Sequence, residues 1–274
     1  QASRAVNAIR EKFVTDGYIT GLQVLTPDDA LLHRDHLERA EKDLSGSLHY
    51  LNKVHTILKS PFDLATHPKL LDAVESIIGP DILLYNCTFI IKEPKTATFV
   101  SWHQDLAYWG LTGGEQVSAW LALSSATEIS GCMQMIPGSH HWGQFEQSTG
   151  TDPDNVLLQS QTIHNVDDRT ATLCPLNAGE ASLHHGWTVH CSKPNQSNDR
   201  RIGLNIQYIT PSMRQEKTDF DTALLVRGQD LHGFYGADVP AEDFVLTESK
   251  IAQLMQLTEQ YQQIAGTRTE TNTQ

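Results

Sequence analysis

The stretch His190-Cys191-Ser192-Lys193-Pro194-Asn195-Gln196-Ser197-Asn198-Asp199-Arg200-Arg201-Ile202-Gly203-Leu204 reads as strand, turn, strand. Lys193 to Asp199 concentrates the residues that build turns. Successive side chains of a strand point to opposite faces, so Thr188, His190 and Ser192 share one face and Val189 and Cys191 the other. On the return strand Ile202, Leu204, Ile206 and Tyr208 make an apolar face, while Arg201, Gly203, Asn205 and Gln207 make a polar one. A polar face beside a histidine is what a solvated barrel interior shows.

The sequence on either side has the same texture. From Ile82 onward short β-rich runs (Ile82 to Lys92, Thr98 to Gln104, Gln116 to Ser124, Cys132 to Ile136, Glu180 to His184) are broken by Gly, Pro, Asn and Asp. Short strands separated by turns suit a sandwich or barrel, not a parallel sheet with alternating helices. Before them the chain reads as helical. Thr26-Pro27-Asp28-Asp29 combines a capping hydroxyl, a first-turn proline and acids near the positive dipole end. His67-Pro68 opens another helix, which stops at Gly79-Pro80. The expectation is one domain over 1–274, an all-β core with surrounding helices. Residues 1–80 give mainly helical support, 81–210 the core, 211–246 a lid or loop and 247–265 a last helix. Gln147 to Asp168, polar and weakly periodic, reads as a long surface excursion.

Working back from His190, a second loaded segment is Ser101-Trp102-His103-Gln104-Asp105. Residues two apart on a strand aim the same way, so His103 and Asp105 direct an imidazole and a carboxylate at a common point. With His190 they supply two His and one carboxylate, the facial triad of non-haem Fe(II) oxygenases with open coordination positions. A structural zinc site would fill four positions, and no fourth ligand is placed by spacing. Arg201 fits a dicarboxylate cosubstrate, because a guanidinium grips a carboxylate with two parallel hydrogen bonds. A cupin-like zinc hydrolase would instead need a general base, which His184-His185 could supply, leaving Arg201 without a role.

Composition narrows the partners. The chain has 274 residues, 20 Lys+Arg against 33 Asp+Glu, and a formal net charge of -13. So acidic a chain is a poor partner for nucleic acid, and its apolar runs are too short to span a bilayer. Four scattered cysteines without a C-x-x-C pair suit thiols in a reducing cytoplasm. Oligomeric state has no signature in the sequence.

The segments Trp102-His103-Gln104-Asp105, Tyr108-Trp109-Gly110-Leu111, Ala119-Trp120, Gly131-Cys132-Met133 and Ile136-Pro137-Gly138-Ser139-His140 stand in a recognisable order. With the His190 to Leu204 stretch and Leu225 to Asp230 they resemble the phytanoyl-CoA dioxygenase family of Fe(II)/2-oxoglutarate-dependent oxygenases, over roughly Gly17 to Asp238. The resemblance implies a double-stranded β-helix (jelly-roll, cupin-like) core with a helical N-terminal layer. It implies His103, Asp105 and His190 as the catalytic iron ligands and Arg201 as the residue binding the C5 carboxylate of 2-oxoglutarate. Ser192 would be its hydroxyl partner and Trp120 an aromatic of the cosubstrate pocket. Thr88 and Asn86 would contact cosubstrate or substrate, and His185 would hydrogen-bond behind the ligands.

The activity implied is hydroxylation of an aliphatic C–H of a small-molecule metabolite, using O2 while 2-oxoglutarate is decarboxylated to succinate and CO2. Desaturation, ring formation or epimerisation are alternatives from the same chemistry, and a non-catalytic jelly-roll binder is an alternative of another class. In halogenating relatives a small residue replaces the carboxylate, so Asp105 favours an oxygen-type outcome. Tyr108, Trp109 and Trp187 are expected to wall the substrate pocket. Arg227 to Tyr235, with Phe234, would cross the mouth, and Arg214 and Arg227 would anchor an anionic group. No Lys/Arg cluster awaits a CoA thioester, which favours a free metabolite such as an amino-phosphonate, an amino-acid derivative or a secondary-metabolite intermediate.

Overall fold

The alternation along the return strand sets the architecture. Ile202, Leu204, Ile206 and Tyr208 are fully buried against a helical layer, and the Tyr208 hydroxyl donates to the Ala65 carbonyl at 2.6 Å. Arg201, Asn205 and Gln207 face the opposite way, into a cavity. The computed structural model describes residues 2–157 and 162–266.

The larger sheet has seven strands. In spatial order they are β1 (Tyr18–Gln23), β8 (Glu180–His185), β5 (Gln116–Ala122), β10 (Arg201–Ile209), β2 (Ile82–Lys92), β12 (Thr222–Arg227) and β13 (Gly236–Ala237). The smaller sheet runs β3 (Val100–His103), β9 (His190–Ser192), β6 (Met133–Met135), β7 (Thr172–Cys174). A two-stranded ribbon joins β4 (Leu111–Thr112) to β11 (Arg214–Gln215). Apart from β12 with β13 the pairings are antiparallel, as a jelly roll requires.

Helices α1 (Ala2–Asp16), α2 (Pro27–Leu44), α3 (Lys59–Ala65) and α4 (Pro68–Ile78) precede the core strands. Thr26 caps α2 by accepting from the Asp29 amide at 3.1 Å, with Pro27 in the first turn. Leu37, Leu64, Leu70 and Val74 from these helices are buried in one cluster with Leu204 and Ile206. A short α5 (Leu106–Trp109) follows β3, and α6 (Glu248–Gly266) ends the described chain. Among the described residues no helix is long and apolar enough to cross a membrane.

The organisation departs from expectation in three places. The N-terminal region is not helical throughout, because Tyr18–Gln23 forms β1 and pairs with β8. Part of the stretch 211–246 is wall and not lid: β12 extends the larger sheet beside β2, with Leu224 opposite Leu84. The excursion after Gln147 returns to the core. The Val156 amide donates to the Phe99 carbonyl at 2.9 Å, Asn155 donates to the Ser101 hydroxyl at 2.9 Å, and Val156 and Leu157 line the cavity.

Candidate metal centre

Residues of both sheets line a cavity that opens to solvent. On its wall His103, Asp105 and His190 are all buried, with one ligand atom of each within 4.8 Å of the others. His103 Nε2 lies 3.3 Å and His190 Nε2 3.4 Å from the same carboxylate oxygen, Asp105 Oδ1. The far side of each ring fixes its proton. His103 Nδ1 is 2.7 Å from the Ser101 carbonyl and His190 Nδ1 is 2.8 Å from the Thr188 carbonyl. A carbonyl only accepts, so each Nδ1 carries hydrogen, and a ring in its neutral form then turns an Nε2 lone pair toward the carboxylate. Burial, then neighbouring His190, lowers the His103 pKa and keeps that ring neutral. Two lone pairs facing one carboxylate oxygen with no proton between them is a donor set that calls for a cation.

The convergence does not arise from strand alternation alone. Strand β3 ends at His103, its register with β9 shifts between Val100 and His103, and Asp105 stands at the entrance to α5. The residue between them makes the turn. Gln104 is fully buried, donates from Nε2 to the carbonyls of Gly143 (2.8 Å) and Trp187 (2.9 Å), and accepts from the Phe145 amide at 2.9 Å.

Asp105 Oδ2 is held from the larger sheet, by the Ser118 hydroxyl at 2.9 Å and His184 Nε2 at 2.8 Å. Burial works against the charged carboxylate, and the hydrogen bonds at Oδ2 from Ser118 and His184 favour it. His184 thus has the orienting role expected of His185. On β8 the two point oppositely; His185 accepts from the Trp187 amide at 3.0 Å and packs near Phe13 and His140.

At the other end of the cavity sits Arg201, 1% exposed, with no acidic partner among the described residues. Its Nη1 donates to the Gly131 carbonyl at 2.5 Å, its Nε has no partner, and its guanidinium lies 4.9 Å from the Trp120 ring centre. The Trp120 ring lies across Gly203, where a Cβ would be 2.0 Å from the indole. Opposite Arg201 in the β10–β2 register stands Lys92, which sequence reading did not single out. It is fully buried, donates to Ser192 Oγ at 2.6 Å and to the Lys193 carbonyl at 2.5 Å, and also has no acidic partner among the described residues. Burial lowers Arg201 to about 10 and, with Arg201 beside it, Lys92 to about 5. Two buried basic groups without a counter-ion make a ready seat for a carboxylate.

Of the other expected residues, Ser192, Trp120, Thr88, Asn86 and Trp109 line the same cavity. Trp187, Arg227 and Phe234 do not. Trp187 packs against the cluster that holds Trp109. Arg227 pairs with Asp72 of α4 at 2.7 Å, because the β12 register puts it opposite Ile82 at the outer end of β2. Phe234 is 37% exposed and stacks under Arg214 at 4.2 Å, so neither arginine reaches the cavity. The Tyr108 side chain lies outside the described residues. Missed by sequence reading were Lys92, Gln104 and Ser118, together with Tyr50 and Tyr261, which come from a loop and from α6 to line the cavity, while His184 was named as a possible general base and not as a partner of Asp105.

Known proteins resemble this chain. The phytanoyl-CoA dioxygenase (PhyH) family model matches residues 32–203. A probable alpha-ketoglutarate-dependent hypophosphite dioxygenase of Stutzerimonas stutzeri is 27% identical over 62% of this chain, and the match spans 60% of that relative's length. An L-proline trans-4-hydroxylase of Streptomyces griseoviridis is 22% identical over 72% of this chain and 84% of its own. Among solved structures, the non-heme monooxygenase ThoJ in its apo form superposes with a TM-score of 0.83 at 27% identity, covering 96% of this chain and 100% of that one. The family model takes in more than half of the sequence, a range that includes His103, Asp105 and His190, and the chain belongs to the phytanoyl-CoA dioxygenase family.

Proposed function

We propose that this chain is an Fe(II)- and 2-oxoglutarate-dependent oxygenase that hydroxylates an aliphatic C–H of a small molecule. The observation that carries the reading is the pairing of two unmet demands in one cavity: lone pairs and a carboxylate without a cation, and a buried guanidinium without an anion. His103, Asp105 and His190 would hold the ferrous ion, leaving coordination positions free. Arg201 would grip the distal carboxylate of 2-oxoglutarate. Lys92 donates to Ser192 Oγ, which leaves the serine proton free to point at the same carboxylate. Trp120 flattens the wall beside it. Ser118 and His184 keep Asp105 from rotating, so one carboxylate oxygen stays aimed at the metal position. When bound, iron and 2-oxoglutarate supply the oxidising chemistry; the protein's part is orientation, charge balance and exclusion of water. Hydroxylation as the outcome is supported by the presence of Asp105 and by relatives named as a hydroxylase and a monooxygenase.

Anaerobic addition of Fe(II) and then 2-oxoglutarate should give a visible charge-transfer band. Arg201→Gln should weaken 2-oxoglutarate binding by on the order of a hundredfold or more, the scale set by losing one partner of a buried ion pair. Asp105→Gly should abolish hydroxylation, read as gain of one oxygen atom in the product. A band that never forms, or an unimpaired Asp105→Gly enzyme, overturns the reading.

A further inference from the structure

Beyond the triad the cavity changes character. Arg201 and Gln207 are six residues apart on β10, so about 20 Å of strand separates the cationic end from the far wall. That wall is built from the amides of Asn52, Asn86 and Gln207 and the rings of Tyr50, Trp109 and Tyr261. The rings form one aromatic group. Trp109 and Tyr261 have ring centres 5.1 Å apart, and Tyr50 meets Tyr261 edge-on with their hydroxyls 3.3 Å apart.

No ionised side chain is available there among the described residues. Of the residues lining the cavity, those with charged side chains are Asp105 and Arg201, both assigned to metal and cosubstrate. Behind the wall, Lys53 is already saturated by Asp238 (2.7 Å) and by the carbonyl and hydroxyl of Thr222 (2.8 Å each). Asp221 accepts from the Tyr85 hydroxyl, from Gln215 Nε2 at 3.1 Å and from the Thr222 amide at 2.8 Å. By contrast, Gln207 is 4% exposed and its Oε1 has no hydrogen-bond partner. A buried acceptor left unpaired is costly unless a ligand supplies the donor.

Resting on the functional reading above, we propose that the substrate is an uncharged molecule whose N–H or O–H donates to Gln207 Oε1 while an apolar or aromatic face packs on Tyr50, Trp109 and Tyr261. A lactam, a carboxamide or a nucleoside-like compound fits this chemistry. A free amino acid, a phosphate ester, a CoA thioester or a small inorganic anion does not, because an ionised group would be stripped of water with no counter-charge.

The test uses the enzyme loaded anaerobically with Fe(II) and 2-oxoglutarate. Compounds are offered as matched pairs: cyclic dipeptides with their ring-opened dipeptides, aromatic carboxamides with their carboxylates, nucleosides with their 5′-monophosphates. Those retained through gel filtration are identified by mass spectrometry. At least one pair should show the neutral member retained tenfold or more over its ionised partner. That retention should be lost in Gln207→Leu. Gln207→Glu and Asn52→Asp should each shift retention toward amine-bearing compounds, with the charge-transfer band confirming that each variant is folded and loaded. Retention of ionised members, equal retention of both, or retention of neither overturns the proposal. Failure of the band before any compound is added overturns the functional reading instead.

Discussion

Lys92 gives the site a pH signature. Burial and the adjacent Arg201 bring its pKa down to about 5, and His49, Cys132 and Cys191 are the other titratable groups near it. At neutral pH the free protein therefore holds a mostly neutral amine, and a carboxylate arriving beside it favours the ammonium form. Binding then takes up a proton, so affinity for 2-oxoglutarate falls as pH rises above about 5, by up to tenfold per unit until the pKa of the bound state is passed. Titrating the charge-transfer band between pH 6 and 8 checks this: wild type should slope downward and Lys92→Met should be flat and weaker. A flat wild-type profile refutes the linkage. Nothing in the linear pattern marks Lys92, since it is simply the last residue of a strand. Its role exists only because β2 and β10 pair with Lys92 opposite Arg201. Likewise the triad residues could be picked out by type and spacing, whereas Gln104, Ser118 and His184 act through partners 13 to 83 positions away.

At the level of the strand, β10 works because one position has no side chain. The Trp120 ring occupies the place of a Cβ at Gly203, within 2.0 Å, and the same ring lies against Arg201. Gly203→Ala should displace the indole, lower stability by about 1–3 kcal/mol in urea unfolding, and weaken 2-oxoglutarate binding although alanine touches neither metal nor cosubstrate. Gly203→Ala with Trp120→Leu should recover most of the stability while binding stays weak; a double variant no better than the single one would place the clash elsewhere. Elements with local signals were legible in sequence: the Thr26-Pro27 start, the Gly79 stop and the alternation of β10. Elements defined by a distant partner were not. Tyr18–Gln23 follows a helix and precedes another, and becomes a strand by pairing with β8. Thr222–Arg227 carries glycine and charge beyond its end and reads as a flexible crossing, yet β2 offers it an edge.

For the molecule as a whole, the two sheets meet at the ligands. His103 and His190 belong to the smaller sheet, where β3 and β9 have only four and three residues. The groups that steady Asp105, Ser118 and His184, belong to the larger one, as does Arg201, while Ser192 stands across from it on β9. Short strands with few ladder bonds open at low free energy, whereas the larger sheet is backed by the main apolar cluster. Metal and cosubstrate binding should therefore stabilise unevenly. Saturation at a hundred times the dissociation constant contributes about 2.7 kcal/mol to the native state, and the segments that gain most are those whose opening breaks the site. Hydrogen exchange on protein stripped with EDTA, compared with protein holding Ni(II) and 2-oxoglutarate, should show protection concentrated in β3, the entrance to α5 and β9. Peptides of β2, β5 and β10 should change less, being slow in both states. Protection spread evenly over the chain, or confined to α6, would mean that the ligands do not couple the sheets, and the placement of the metal between them would have to be abandoned.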